Sequence, residues 1–420
     1  MVDSPCPDLI SDLPQIIIES ILTWLPIREA VRTSVLSSKW RYRWTTITHL
    51  VFDEKCATLC NDRALVEDKL IKFITRALLL HEGPIHKFQL CTSYLESCAD
   101  IDQWILFLSR KDIKELILEL GESEWFRIPS CLFNCKKLIR LELFRCELDP
   151  PPTFKGFLCL KSLSLYQVFV ASDATESLIS SCPLLESLSL SYSDSLTLNI
   201  RAPNLKYLFL EGEFKDICIE SSPLLITISV AMYMTEDIFE HMEQGSGCNF
   251  NKFLGGVPLL EKLTGRIYFT KYLSIGDDPG RIPLTYCHLK IIELYQVSFE
   301  DMKEVFVLLR LITNSPNLKE LRISGSSNAL AAREATDLDF WENECYSHCV
   351  FERLKVVKMT EISGVPHEME FIKFLLENSP VLEMVSIACS FVMEERLSML
   401  VELVRFRRAS PRAEIVFIQP

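Results

Sequence analysis

The sequence predicts an α/β protein: a short helical module at the N-terminus, then a long stack of parallel strands. Three observations carry that prediction. Residues 8–46 hold Leu9, Ile10, Leu13, Ile16, Ile17, Ile18, Ile21, Leu22, Trp24, Leu25, Ile27, Val31, Val35, Leu36, Trp40 and Trp44. A segment that short cannot bury so much apolar surface within itself, so the excess packs on the rest of the chain or on a partner. Next, the pattern L-x-x-L-x-L recurs with I, V, M or once G substituting, beginning at Ile113, Leu138, Leu160, Leu185, Leu205, Leu225, Leu260, Leu289, Leu318, Leu354 and Leu382. A supersecondary unit of this length buries its apolar side only by stacking on copies of itself. Finally, a Pro-x-Leu lead-in precedes many of these units, at Pro183, Pro203, Pro223, Pro258, Pro316 and Pro380. Proline there stops the preceding element and costs no ladder bond.

The elements follow in order. Pro14 suits the first turn of a helix, and Pro26 ends that helix near Leu25 because the residue before proline avoids the helical region. Ile17, Ile18, Ile21, Leu22 and Leu25 recur at helical spacing. A second helix is expected over residues 27–35 and a third over 39–45, capped by Ser37 or Ser38. Residues 66–80 form a strong amphipathic helix, with Leu70, Phe73, Ile74, Ala77 and Leu78 on one face. Residues 86–90 read as a first, degenerate strand and 101–108 as its helix, so the stack is expected to start near residue 85. Each later unit is a strand followed by a helix (173–180, 300–313 and 367–376 among them) or by an extended return. Two insertions break the rhythm: residues 231–257, with an acidic helix over 235–244, and residues 324–349. Both read as surface loops.

Composition bounds the function. The chain has 420 residues, is 48% hydrophobic, and carries a formal net charge of −13 with a pI near 5.2. That length allows two or three domains, and the acidic balance argues against a nucleic-acid binder. The start MVDSPCPDL shows no charged-then-apolar leader, and no apolar run reaches membrane-span length. The 16 cysteines are scattered through apolar strands, so they read as free buried thiols in a reducing compartment, nucleus or cytoplasm. Cys345 and Cys349 with His348 lack the second pair that structural zinc requires, and no metal or other cofactor is expected. No Gly-x-Ser-x-Gly elbow, HExxH or Walker loop occurs, and a nucleotide-binding α/β sheet would need a glycine-rich loop that follows no strand here. The chain therefore reads as non-catalytic.

Leu13-Pro14, Ile21-Leu22, Leu25-Pro26, Ala30-Val31 and Val35-Leu36-Ser37 followed by Trp40-Arg41 and Trp44 resemble an F-box in order and spacing. One departure is Gln15-Ile16, where many members carry acidic residues. The resemblance implies docking onto a Skp-family adaptor, and through it a cullin, with Leu13, Pro14, Ile21, Leu22, Leu25, Pro26, Val35, Leu36 and Trp40 at or just behind the interface. The repeated strands resemble an irregular leucine-rich-repeat solenoid without the asparagine ladder. Residues 354–359, the helix through Phe371, Ile372 and Leu375, Ser379-Pro380-Val381-Leu382-Glu383 and the ending at residues 409–417 resemble the FBD region. The whole chain thus resembles plant F-box/FBD/leucine-rich-repeat proteins: F-box over 8–50, helical linker over 51–84, solenoid over 85–340, and an FBD region over 341–420 that continues and caps it. The implied role is substrate recognition within a Skp-cullin-F-box ubiquitin ligase. A ligase-independent scaffold and a small-molecule-dependent receptor are the alternatives.

A client surface is readable from period two. The Leu positions three and five residues into each repeat point inward, so positions two and four line the other, concave face. Those positions run Glu115/Ile117, Arg140/Glu142, Ser162/Ser164, Ser187/Ser189, Tyr207/Phe209, Thr227/Ser229, Lys262/Thr264, Ile291/Glu293, Glu320/Arg322, Val356/Lys358 and Met384/Ser386. The middle is small and hydroxylic, and Tyr207 and Phe209 are its aromatic pair, a residue type enriched at binding hot spots. Such a strip suits a protein or peptide client rather than a phosphorylated one, which needs clustered arginines.

Overall fold

The computed structural model describes residues 13–57, 62–95, 99–121, 125–170, 172–193, 197–234, 249–276, 285–326, 341, 349–389 and 393–418. The expected acidic helix over 235–244 and nearly all of the second insertion, including Cys345 and His348, lie outside them. The chain divides into two compact units, Met1–Ser193 and Asp194–Pro420.

The first unit opens with α1 (Gln15–Trp24) and α2 (Ile27–Arg32), each preceded by its proline. A 3-10 turn, Thr33–Val35, follows. The third helix expected over 39–45 is not an α-helix. The backbone there makes i→i+3 bonds (Trp40 N–H to Ser37 O, Arg43 N–H to Trp40 O, Thr45 N–H to Tyr42 O) and ends in a 3-10 turn, Arg43–Thr46. Aromatic and β-branched residues lose side-chain freedom in a helix, and here tertiary burial of Trp40 and Trp44 decides the path.

Strand β1 (His49–Phe52) comes next, then the Asp62-capped helix α3 (Arg63–Leu80), β2 (Lys87–Cys91), α4 (Ile101–Leu108) and β3 (Glu115–Glu119). The Trp104 indole donates to Thr75 Oγ1 at 3.0 Å and ties α4 to α3. After β4 (Phe126–Arg127) come β5 (Arg140–Phe144), β6 (Cys146–Glu147), β7 (Ser162–Tyr166), α5 (Ser172–Ser180) and β8 (Ser187–Ser193). The sheet runs β1-β2-β3-β5-β7-β8, parallel throughout. It therefore begins at His49, well before residue 85, because Leu50 and Phe52 alternate into the core beneath the helical module.

The second unit repeats the theme. Its strands are β9 (Thr197–Ile200), β10 (Tyr207–Gly212), β11 (Asp216–Ile219) and β12 (Thr227–Met232). Then follow α6 (Asn249–Leu254), β13 (Lys262–Ile267), α7 (Phe269–Ser274), β14 (Ile291–Val297), α8 (Met302–Thr313) and β15 (Glu320–Gly325). The unit ends with β16 (Val356–Ile362), α9 (Pro366–Asn378), β17 (Met384–Cys389), α10 (Met393–Arg405) and β18 (Glu414–Ile418). The sheet order is β10-β12-β13-β14-β15-β16-β17-β18, again parallel. The short pairs β4–β6 and β9–β11 are the extended returns. This is a solenoid-like arrangement: one parallel strand per repeat and a helix or return behind it.

The repeat register matches the leucine pattern. Leu141, Leu143, Leu208, Leu210, Leu321 and Ile323 are all buried, as are their equivalents in the other repeats. A second register feature is absent from that pattern. Seven residues into the repeat, Arg145, Gln167, Tyr192, Ile267, Gln296 and Glu361 all take φ between 49° and 60°. This left-handed residue ends the inward-outward alternation and turns the chain toward its return.

Candidate functional site

The site is the outer surface of the N-terminal helical module. Ile18 and Leu22 of α1 and Ile27 and Ala30 of α2 point inward with Trp40 and Trp44. Polar ties hold this packing: Glu19 Oε1 accepts from the Gln15 amide at 2.7 Å and from the Thr46 hydroxyl at 3.4 Å, and Arg43 donates to Gln15 Oε1. Gln15, at the position where an acidic residue was expected, thus spends its carbonyl on the far end of the module. The Arg28 guanidinium donates to Ala57 O at 3.2 Å and anchors α2 to the start of the sheet region.

What remains outside is apolar. Ile17, Ile21 and Trp24 form one outward stripe along α1, spaced i, i+4, i+7, with Ile16 and Leu25 beside it. Val35 and Leu36, from the 3-10 turn and the residue after it, are 86% and 65% exposed, and Trp24 is 86% exposed. Surface apolar residues scattered singly need no explanation, but a concentration like this marks an interaction surface.

The expected site residues divide accordingly. Pro14, Ile21, Leu25, Pro26, Val35 and Leu36 are exposed and Leu13 is half-buried. Leu22 is 0% and Trp40 4% exposed, so neither can touch a partner directly, and they support the surface from behind. The residues that sequence reasoning left off the surface are Ile16, Ile17 and Trp24. Their signal was available: once Ile18 and Leu22 are assigned inward, helical spacing turns these outward.

The expected client surface is also describable within each unit. In the second, Tyr207 is 52% exposed and Phe209 half-buried, on one face of β10. On the same face of β13 to β16 the charges pair with one another. Glu293 takes Lys262 Nζ at 3.0 Å, Arg322 Nη1 at 3.0 Å and the Thr264 hydroxyl at 3.0 Å. Glu320 takes Arg322 Nε at 2.8 Å and Lys358 Nζ at 3.2 Å. In the first unit, Phe144, Tyr166 and Tyr192 form a run at the strand ends, with ring centroids 5.6 and 5.1 Å apart. Reading the strands only at positions two and four missed it.

Buried groups elsewhere are structural. Among the described residues, Cys56, Cys135, Cys146 and Cys182 are buried free thiols and Cys91 is a half-buried one. Burial pushes Cys91 up to about 11 and Cys135 to about 12, well out of the reactive range. Among the described residues no cluster of three or more His, Cys, Asp or Glu is placed to hold a metal, and no helix is long and apolar enough to cross a membrane.

Comparison with known proteins places these surfaces. Residues 10–49 match the F-box domain, residues 101–242 the LRR repeats described for the FBD-associated F-box protein At5g56370, and residues 342–387 the FBD. The chain is 61% identical over 414 residues to the F-box/FBD/LRR-repeat protein At1g13570 of Arabidopsis thaliana, covering 98% of this chain and 99% of the relative. This chain belongs to the F-box/FBD/LRR-repeat protein family. Members at greater distance include the putative FBD-associated F-box protein At5g22720 and the probable FBD-associated F-box protein At1g32375, both from Arabidopsis thaliana. They are 28% and 24% identical, over 90% and 98% of this chain and 87% and 100% of their own lengths. The exposed apolar surface of α1, Val35 and Leu36 is thus the surface of the F-box itself.

Proposed function

We propose that this chain is a substrate-recognition subunit of a Skp-cullin-F-box ubiquitin ligase in the nucleus or cytoplasm. The observation that carries the reading is the exposed apolar surface of Ile17, Ile21, Trp24, Leu25, Val35 and Leu36 within the F-box. Fully burying one such side chain is worth about 1.5–3 kcal/mol, so a Skp-family adaptor with a complementary apolar groove has ample driving force. The repeat strands then hold a protein client, with the hydroxyl and aromatic positions, Tyr207 and Phe209 among them, as its contact surface. The chain carries no step of the chemistry. It raises the effective concentration of client lysines near a charged conjugating enzyme brought by the cullin.

Co-expression with a Skp-family adaptor followed by size exclusion tests the adaptor half. A stoichiometric complex is expected for the wild type and not for Val35→Asp with Leu36→Asp. A folded wild type that elutes alone overturns the reading.

A further inference from the structure

Among the described residues, the sheet of the second unit has an open edge at β18. Strand β18 pairs with β17 in unbroken register, from Met384↔Glu414 to Ala388↔Ile418, and is the last strand of its sheet. The Glu414 N–H donates to Glu383 O at 3.0 Å. In a parallel ladder, alternate residues turn both backbone groups toward the same neighbour. Glu414, Val416 and Ile418 therefore face β17, and Ile415 and Phe417 aim their N–H and C=O groups away from it. Among the described residues nothing pairs with them.

Natural sheets protect such an edge with lysine, proline, a bulge or a covering element. Strand β18, EIVFI, has no lysine, no proline and no bulge. Val416 and Ile418 are exposed, and so are Val401 and Val404 on α10. Just before the strand in sequence lie Arg405, Arg407, Arg408 and Arg412, with Glu402 and Glu414 the only carboxylates from residue 402 to 414. Arg408 Nη1 donates to Ala413 O at 3.1 Å, at the start of the strand. Arg405, Arg407 and Arg412 are exposed and have no carboxylate partner among the described residues.

We propose that β18 is a docking edge for an extended acidic segment of a partner protein, which adds to the sheet as a further strand while its carboxylates meet the arginines. Main-chain bonds to Ile415 and Phe417 supply affinity, and charge selects the segment. A second copy of the chain is a poorer occupant, because its own β18 offers Glu414 as the only carboxylate for these arginines. The edge lies beyond the matched FBD residues and outside the F-box, so the proposal stands or falls separately from adaptor binding.

The test uses the full-length chain and a fluorescein-labelled peptide of alternating valine and glutamate, read by fluorescence anisotropy. Binding is expected, weakened by added salt. It should fall roughly tenfold or more, equivalent to about 1.4 kcal/mol, in the combined Arg405→Glu, Arg407→Glu and Arg412→Glu variant, whose circular dichroism and cooperative thermal unfolding, unchanged from the wild type, confirm folding. A peptide N-methylated at every backbone nitrogen should not bind, since it has no N–H on either edge to extend the ladder. No binding to wild type, equal binding of a valine–lysine peptide, or binding that survives N-methylation overturns the proposal. So does self-association of the wild type that the arginine substitutions leave unchanged and that excludes the peptide.

Discussion

Individual residues of the F-box separate support from contact. Trp40 and Leu22 are buried, whereas Val35 and Leu36 project into solvent from adjacent positions. Trp40→Ala should destabilise the free protein by about 3–5 kcal/mol, the usual cost of truncating a buried large aromatic. Val35→Asp with Leu36→Asp should leave stability within about 0.5 kcal/mol while abolishing the adaptor complex. Thermal denaturation of the free chain beside adaptor titration separates the two. Family spacing marks all four residues alike, because a motif records which positions matter and not which way they point. Direction comes from geometry: Ile18 and Leu22 are buried, as the two tryptophans are, and that leaves Ile17, Ile21 and Trp24 outward.

Two buried carboxylates make a second residue-scale prediction. Glu304 accepts from the Thr270 hydroxyl at 2.6 Å and from Ser298 N–H at 3.3 Å. Glu368 accepts from the N–H groups of Gly364 at 2.7 Å, Ser363 at 2.9 Å and Val365 at 3.3 Å. Those hydrogen bonds favour the ionised form, yet burial outweighs them and pushes both carboxyls up to about 7. An acid raised above its ordinary value of 4.5 binds its proton more tightly when folded. The stability it contributes is fully present below that value and is lost as pH rises to about 7. The loss is on the order of 3 kcal/mol per group. Urea denaturation should show the second unit weakening between about pH 5 and about pH 8, and Glu304→Gln should flatten part of that slope. An unchanged slope in the variant would show that Glu304 is not its source.

Secondary-structure elements show where sequence legibility stops. The repeat strands were readable because their leucines alternate at period two and each copy buries the same positions, Leu141 and Leu143 in one repeat and Leu321 and Ile323 in another. Strand β1 was not, since His49–Phe52 is too short for periodicity and has no leucine repeat. Its pairing with β2 is a tertiary fact. The turns over residues 39–45 were read as a helix because spacing cannot distinguish i→i+4 from i→i+3 bonding. The left-handed residue near these strand ends was also hidden, because five residue types fill its six positions and none of them is glycine, the residue suited to it. That position is testable. Gln296 has φ 60° and an exposed side chain, and a non-glycine residue there costs about 1–2 kcal/mol. Gln296→Gly should raise the melting temperature after allowing for glycine's greater unfolded-state entropy. Gln296→Val should lower it, because a β-branched side chain fits this region worst.

At the scale of the whole molecule, the two proposed functions occupy different elements, and that makes them separable. The proposed adaptor surface lies on α1 and the turn at Val35 and Leu36, and the proposed client surface lies on the exposed faces of the repeat strands. An F-box substitution changes no strand, so it should not change client affinity. A receptor works by tethering, and the rate of ubiquitin transfer depends on both contacts existing in one complex. The Val35→Asp, Leu36→Asp variant should therefore capture client as the wild type does and yet support no client ubiquitination in a reconstituted ligase. Tyr207→Ala with Phe209→Ala should show the opposite: a normal adaptor complex with weakened client capture and proportionately slower transfer. Transfer that persisted in the F-box variant would mean that client modification reaches the chain by another route, and the receptor reading would fail even with the adaptor complex intact.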